Sequence, residues 1–86
     1  MPILTAFHGI VIRMYYRNHE PQHFHAEHQG DHATFTFDGQ LHSGVIRSRR
    51  ARALIETWAA LHRHELQSNW GRAGQGLPLE HIAPLE

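Results

Sequence analysis

The sequence predicts an α+β fold: an antiparallel β-meander of three to four strands, one long C-terminal helix packed on one face, and an extended C-terminal tail. Three observations carry this. Up to about Ile46, apolar and polar residues alternate with the period of a strand. Between these stretches stand Asn18, Pro21, Gln29-Gly30-Asp31 and Asp38-Gly39, which are turn chemistry. After Ser48 the apolar residues switch to helical spacing. With 86 residues, no internal repeat and no linker, the chain is expected to form a single domain over 1–86.

Gly9 to Tyr16 reads as the first strand. Ile10, Ile12, Met14 and Tyr16 share one face, and Val11, Arg13 and Tyr15 the other. His23 to His28 is the second, with Phe24 and Ala26 opposite His23, His25 and Glu27. Ala33 to Phe37 is the third, with Ala33, Phe35 and Phe37 inward and Thr34 and Thr36 outward. Asp38-Gly39 opens a hairpin. A three-residue loop with Gly39 as bulge pairs Leu41 with Phe35, and this register is preferred because it keeps Leu41 on the apolar face. The fourth strand then runs from about Gln40 to Ile46.

Ser48 is an N-cap residue. From Arg49 to Ala73, residues Ala51, Leu54, Ile55, Trp58, Leu61 and Leu66 keep the helical period, and Gly71, Gly74 and Gly76 mark its end. Such a helix is about 37 Å long, against about 20 Å for a six-residue strand. It must overhang the sheet, break in two, or pack on a second copy. Leu77 to Glu86, with Pro78 and Pro84, reads as an extended strip covering an apolar edge. The helix covers one sheet face and leaves the other open, presenting Arg13, Tyr15, His23, His25, Glu27, Thr34 and Thr36.

The chain has no cysteine, which excludes disulfide scaffolds, thiolate zinc sites and cysteine nucleophiles. Met1 to Ile12 is apolar but lacks a basic n-region, and no stretch reaches membrane-spanning length. A cytoplasmic, prokaryotic protein without a membrane partner is the expectation. Eight acids balance eight bases, so any nucleic-acid contact must rest on a local patch. All eight bases are arginine, and the ten histidines outnumber either charge class.

His23 and His25, two apart on a strand, project from one face, and His19 precedes them in a turn. The three form a candidate N₃ site for zinc, nickel or copper, with Glu20 and Glu27 nearby. The plain alternative is a set of strand histidines packing on an open sheet. On a continuous helix centred on Trp58, steps of about 100° put Glu65 near −20° and His62 near +40°, inside the apolar stripe. His62 is therefore a further ligand candidate. Glu65, with His23 and His25, is a candidate catalytic residue, although a structural His62–Glu65 pair is the simpler reading. His8, His28, His32, His42, His64 and His81 read as solvated surface residues.

Arg47, Arg49, Arg50 and Arg52 crowd a helix N-terminus, where the macrodipole disfavours cations. They are a candidate anion site for phosphate or an RNA backbone; a solvated charge run, with Glu56 pairing Arg52, is the alternative. Gly71 to Gly76 looks like a nucleotide loop, but it follows a helix rather than a strand, and reads as a helix stop. Ser43, Ser48 and Ser68 lack a nucleophile elbow.

Phe7-His8-Gly9-Ile10-Val11-Ile12-Arg13-Met14-Tyr15 and His19-Glu20-Pro21-Gln22-His23-Phe24-His25-Ala26 resemble the opening of the domain of unknown function 4160 family. Trp58-Ala59-Ala60-Leu61-His62, Glu65-Leu66, Trp70, Pro78-Leu79, Ile82 and Pro84-Leu85 resemble its closing half. Gln22 stands where the family pattern has a second proline. The resemblance implies a small prokaryotic protein often encoded beside another small domain, in pairs sometimes grouped with toxin–antitoxin modules. It thus implies a cognate small protein as partner. The expected function is partner binding, through the open sheet face or an overhanging helix, to that protein or to a second copy. The alternatives are a hydrolase or nuclease using His19, His23 and His25, and a metal- or pH-responsive protein.

Overall fold

The computed structural model describes residues 2–16 and 20–86. It has an α+β fold with five strands and two helices, rather than three to four strands and one helix. The strands are β1 (Ile3–Phe7), β2 (Ile10–Arg13), β3 (His23–His28), β4 (Asp31–Thr36) and β5 (Leu41–Val45). They form one antiparallel sheet in sequence order, each strand pairing with the next.

The additional strand is β1. His8 and Gly9 both have positive φ (49° and 77°), the mark of a type I′ turn. They pair Phe7 directly with Ile10. Gln29 and Gly30 (48° and 83°) do the same between β3 and β4. In both turns a non-glycine residue occupies the first left-handed position. This is why the first turn is harder to read than an Asn-Gly pair would be. The β4–β5 register is the expected one, with Phe35 opposite Leu41.

One sheet face is apolar and covered. Ile10, Ile12 and Met14, then Phe24 and Ala26, then Ala33 and Phe35 are all buried there. Against them lie α1 (Arg49–Leu61) and α2 (Arg63–Gly74). Ser48 caps α1 by accepting from the Ala51 amide at 3.0 Å. Trp58 is the hub: its ring meets Phe7 at 5.8 Å and Phe24 at 5.6 Å, centroid to centroid.

The helix breaks at His62, whose φ of −120° leaves the helical basin. The length mismatch between helix and sheet is resolved this way: α1 is about 20 Å long, which matches the strands. The His62 amide still donates to the Trp58 and Ala59 carbonyls, and its own carbonyl accepts from Leu66, so the junction leaves few orphan groups.

At the other end, the Gly76 amide donates to the Ala73 carbonyl and the Leu77 amide to that of Arg72, the paired bonds of a Schellman motif. The tail then crosses the core as a strap. Buried Asn69 donates to the Glu80 carbonyl and accepts from its amide, as a strand neighbour would. The Trp58 indole donates to the Ala83 carbonyl at 2.9 Å, and the Ile82 amide to that of Leu4 at 3.0 Å. Ile82 is buried, as a covering strip requires. No described helix is long and apolar enough to cross a membrane.

Candidate functional site

The second face of the sheet is not covered by the helices, and cross-strand register decides what it displays. His25 stands opposite Arg13 on β2 and Thr34 on β4. Glu27 stands opposite Val11 and His32, and His23 opposite Thr36. On β5 the register slips between the partners of Thr34 and Phe35, leaving His42 as the extra residue. A bulge places two residues opposite one. Accordingly Thr34 Oγ1 contacts both Ser43 Oγ (2.6 Å) and His42 Nδ1 (3.3 Å).

Four imidazoles therefore share this face. His42 stacks with His23 (6.2 Å between centroids), His23 meets His25 edge-on (5.2 Å), and His25 stacks with His32 (5.2 Å). Tyr15 stands against His25 at 4.3 Å, and Trp70 of α2 against His23 at 5.5 Å. Arg13 and Glu27 form an ion pair at 3.3 Å beside the row. His32 and His42, which read as solvated residues in the sequence, are thus part of the same surface as His23 and His25. The signal was present. A two-residue Gln29-Gly30 turn places His32 opposite Glu27, and the Phe35–Leu41 register puts His42 beside Thr34.

The hydrogen bonds assign some tautomers. His23 Nδ1–H donates to the Pro21 carbonyl at 2.8 Å. His25 Nδ1 and His32 Nε2 lie 3.1 Å apart, so one carries the proton and the other accepts. Burial lowers the pKa of His25 to about 4, with further lowering by His23 and His32 against the opposing pull of Glu27. His25 is neutral at pH 7.

This has a consequence for stability. An unfolded histidine titrates near 6.5. Between pH 6.5 and 4 the unfolded chain therefore binds more protons at this position than the folded one. The His25 contribution is present above pH 6.5 and is lost as pH falls toward 4. It is on the order of 1–2 kcal/mol, after allowance for screening at a half-buried ring. Urea unfolding across this pH range should show wild type losing more stability than His25→Phe. The groups facing His25 are His23, His32, Glu27, Tyr15, Thr34 and Arg13. Parallel pH profiles for the two proteins would show that burial of this imidazole has no such effect.

The other candidates are placed elsewhere. His19 lies outside the described residues. Among those residues, no three His, Asp or Glu side chains converge as a metal site. His62 Nδ1–H donates to Glu65 Oε1 at 2.6 Å across the helix junction. The His62 ring is largely buried against Trp58, while Glu65 is half-exposed. Glu65 is also an acid in the first turn of α2, where the macrodipole favours it. Its partner is the hinge histidine rather than a sheet histidine.

Arg47 is held by Asp31. Its amide donates to Oδ2 at 2.9 Å, its Nε to both carboxylate oxygens at 3.0 Å, and its Nη2 lies 3.0 Å from Oδ1. These bonds hold the Asp31 carboxyl below its usual range and raise the Arg47 guanidinium above its own. Arg47 thus clips the start of β4 to the α1 approach. Arg49 and Arg50 are exposed on the first turn, and Arg52 is half-buried. Glu56 accepts from the Gln40 side chain at 3.5 Å.

Comparison with known proteins gives one finding. The family model described as "Domain of unknown function (DUF4160)" matches residues 9–71. That span runs from the β1–β2 turn to late α2, and includes all four face histidines. No curated protein and no solved structure matches.

Proposed function

Because the chain belongs to the DUF4160 family, a membership that names no reaction, we propose from its geometry that it is a binding module. It works through the uncovered sheet face, and its occupant is a cognate small protein, as in a toxin–antitoxin-like two-gene module. The observation that carries this reading is the contiguous ring surface formed by Tyr15, His25, His32, His23, His42 and Trp70. Rings with polar edges supply large contact area at low entropy cost, and tyrosine and tryptophan, here Tyr15 and Trp70, are enriched where proteins bind. The one acid of this row, Glu27, is already paired with Arg13.

The test is co-expression with the product of the adjacent gene. The two proteins should co-elute in gel filtration at fixed stoichiometry. His23→Ala/His42→Ala should weaken the complex by at least about tenfold, or about 1.4 kcal/mol. Arg49→Ala/Arg50→Ala, on the covered side's helix, should leave it unchanged. Separate elution of the wild-type proteins, or equal binding by the face variant, would overturn the proposal.

A further inference from the structure

We propose that His25 Nδ1 and His32 Nε2 are the protein ligands of a divalent transition-metal site, for an ion of the zinc, nickel or copper class. The pair joins neighbouring strands, and it differs from the His19, His23 and His25 set that sequence spacing suggests. It shares His25 and His32 with the surface proposed for partner binding, but it rests on the separation of their nitrogens rather than on that reading.

The two nitrogens lie 3.1 Å apart. An ion with bonds of about 2.0–2.1 Å to imidazole nitrogen needs adjacent ligand nitrogens about 3.0–3.4 Å apart, for octahedral or tetrahedral coordination. The two rings stand on two paired strands, with 30° between their planes and these nitrogens edge to edge. Rigid elements hold such constellations better than loops do.

The surroundings also favour a cation. Glu27 stands directly opposite His32 and two residues from His25, so a carboxylate charge adjoins the position a cation would take. The other nearby acid, Asp31, is committed to Arg47. His32 and Glu27 also line an open groove of about 380 Å³, with Val11, His28 and Asp31. Remaining coordination positions can therefore be filled by water or by an oxygen donor lying in that groove. Glu27 itself faces Arg13 in this structure, and among the described residues no third protein donor converges.

The proton balance is simple. In the ion-free pair one nitrogen carries the shared proton. On binding, that ring moves its proton to its other nitrogen through solvent, and both lone pairs face the ion. No net proton is released and no oxidant is needed.

The experiment uses untagged, chelator-stripped protein titrated with zinc ion in a non-coordinating buffer, followed by calorimetry and imidazole nitrogen chemical shifts. One equivalent should bind in the micromolar range, and the His25 Nδ1 and His32 Nε2 resonances should move together. His32→Gln, an exposed strand position, should lower affinity by at least about tenfold. His64→Ala/His81→Ala, which removes two exposed histidines from α2 and the tail, should not. Several weak sites unaffected by His32→Gln, or shifts at other imidazoles only, would overturn the proposal. Partner binding measured with chelator present separates the two readings: a complex that persists without zinc supports partner binding on its own ground, and zinc binding by the protein alone supports the metal site.

Discussion

Trp58→Ala is expected to destabilise the fold by about 4 kcal/mol, a large fraction of the roughly 5–15 kcal/mol that holds a domain together. Trp58 is fully buried, and it touches four parts of the molecule at once. Its ring packs on Phe7 of β1, Phe24 of β3 and His62 at the helix junction. Its indole N–H donates to the Ala83 carbonyl of the tail. Truncation removes the transfer energy of the side chain, opens a cavity, and unties the strap. Trp58→Phe separates these terms. It keeps most of the volume but leaves the Ala83 carbonyl without its donor, which costs about 1–2 kcal/mol. Urea unfolding should rank wild type above Trp58→Phe and Trp58→Phe above Trp58→Ala. Equal midpoints for wild type and Trp58→Ala would show that the core is not organised around this ring.

Gly44→Ala is expected to cost about 3 kcal/mol or more, although it adds one methyl group on an exposed edge strand. Gly44 has φ of +79°. A Cβ there would lie 2.4 Å from the His32 carbonyl oxygen and 2.8 Å from the Ala33 Cα, both backbone atoms of β4. Neither can move without breaking the β4–β5 ladder. The bulge that places His42 and Ser43 against Thr34 lies immediately before this glycine, so the substitution should also scatter the face histidines. Gly71→Ala is the contrast. It sits within α2, and a Cβ there would meet nothing within 4 Å. That change should raise stability by about 0.5–1 kcal/mol through helix propensity. Thermal or urea denaturation of the two variants checks both signs. A Gly44→Ala protein as stable as wild type would contradict the close approach of these strands.

Much of this architecture can be read from residue patterns, and the exceptions have physical causes. β3 is bounded where its alternation begins and ends, because Phe24 and Ala26 face a core while their neighbours face outward. The tail is legible for the same reason: Ile82, Leu79 and Leu85 are apolar in a stretch that prolines keep extended. β1 is harder to read, since Ile3–Phe7 is uniformly apolar apart from Thr5, and its turn uses His8 in a left-handed conformation. The helix break is announced by length alone, as no proline or glycine interrupts residues 49–70. What places the break at His62 is tertiary: the ring lodges on Trp58 and is pinned by Glu65.

The histidine row shows where local reading stops. His23 and His25 are adjacent by strand spacing, which is a property of one segment. His32 and His42 join them only through register, a property of three segments together. A slip of one residue would send either to the other face. The short turn and the bulge are therefore as much determinants of this surface as the imidazoles. Arg47 illustrates the converse. It is one of four clustered arginines by sequence, yet its guanidinium is committed to Asp31 at the start of β4.

On the proposed reading, the partner docks on the uncovered sheet face with its four imidazoles. Amide and imidazole chemical-shift mapping, on titration with the adjacent gene's product, tests it most directly. Shifts are expected to concentrate at Tyr15, His23, His25, His32, His42 and Trp70, with the exposed side of α1 unmoved. Shifts confined to α1 or the tail, with the face histidines unchanged, would contradict it.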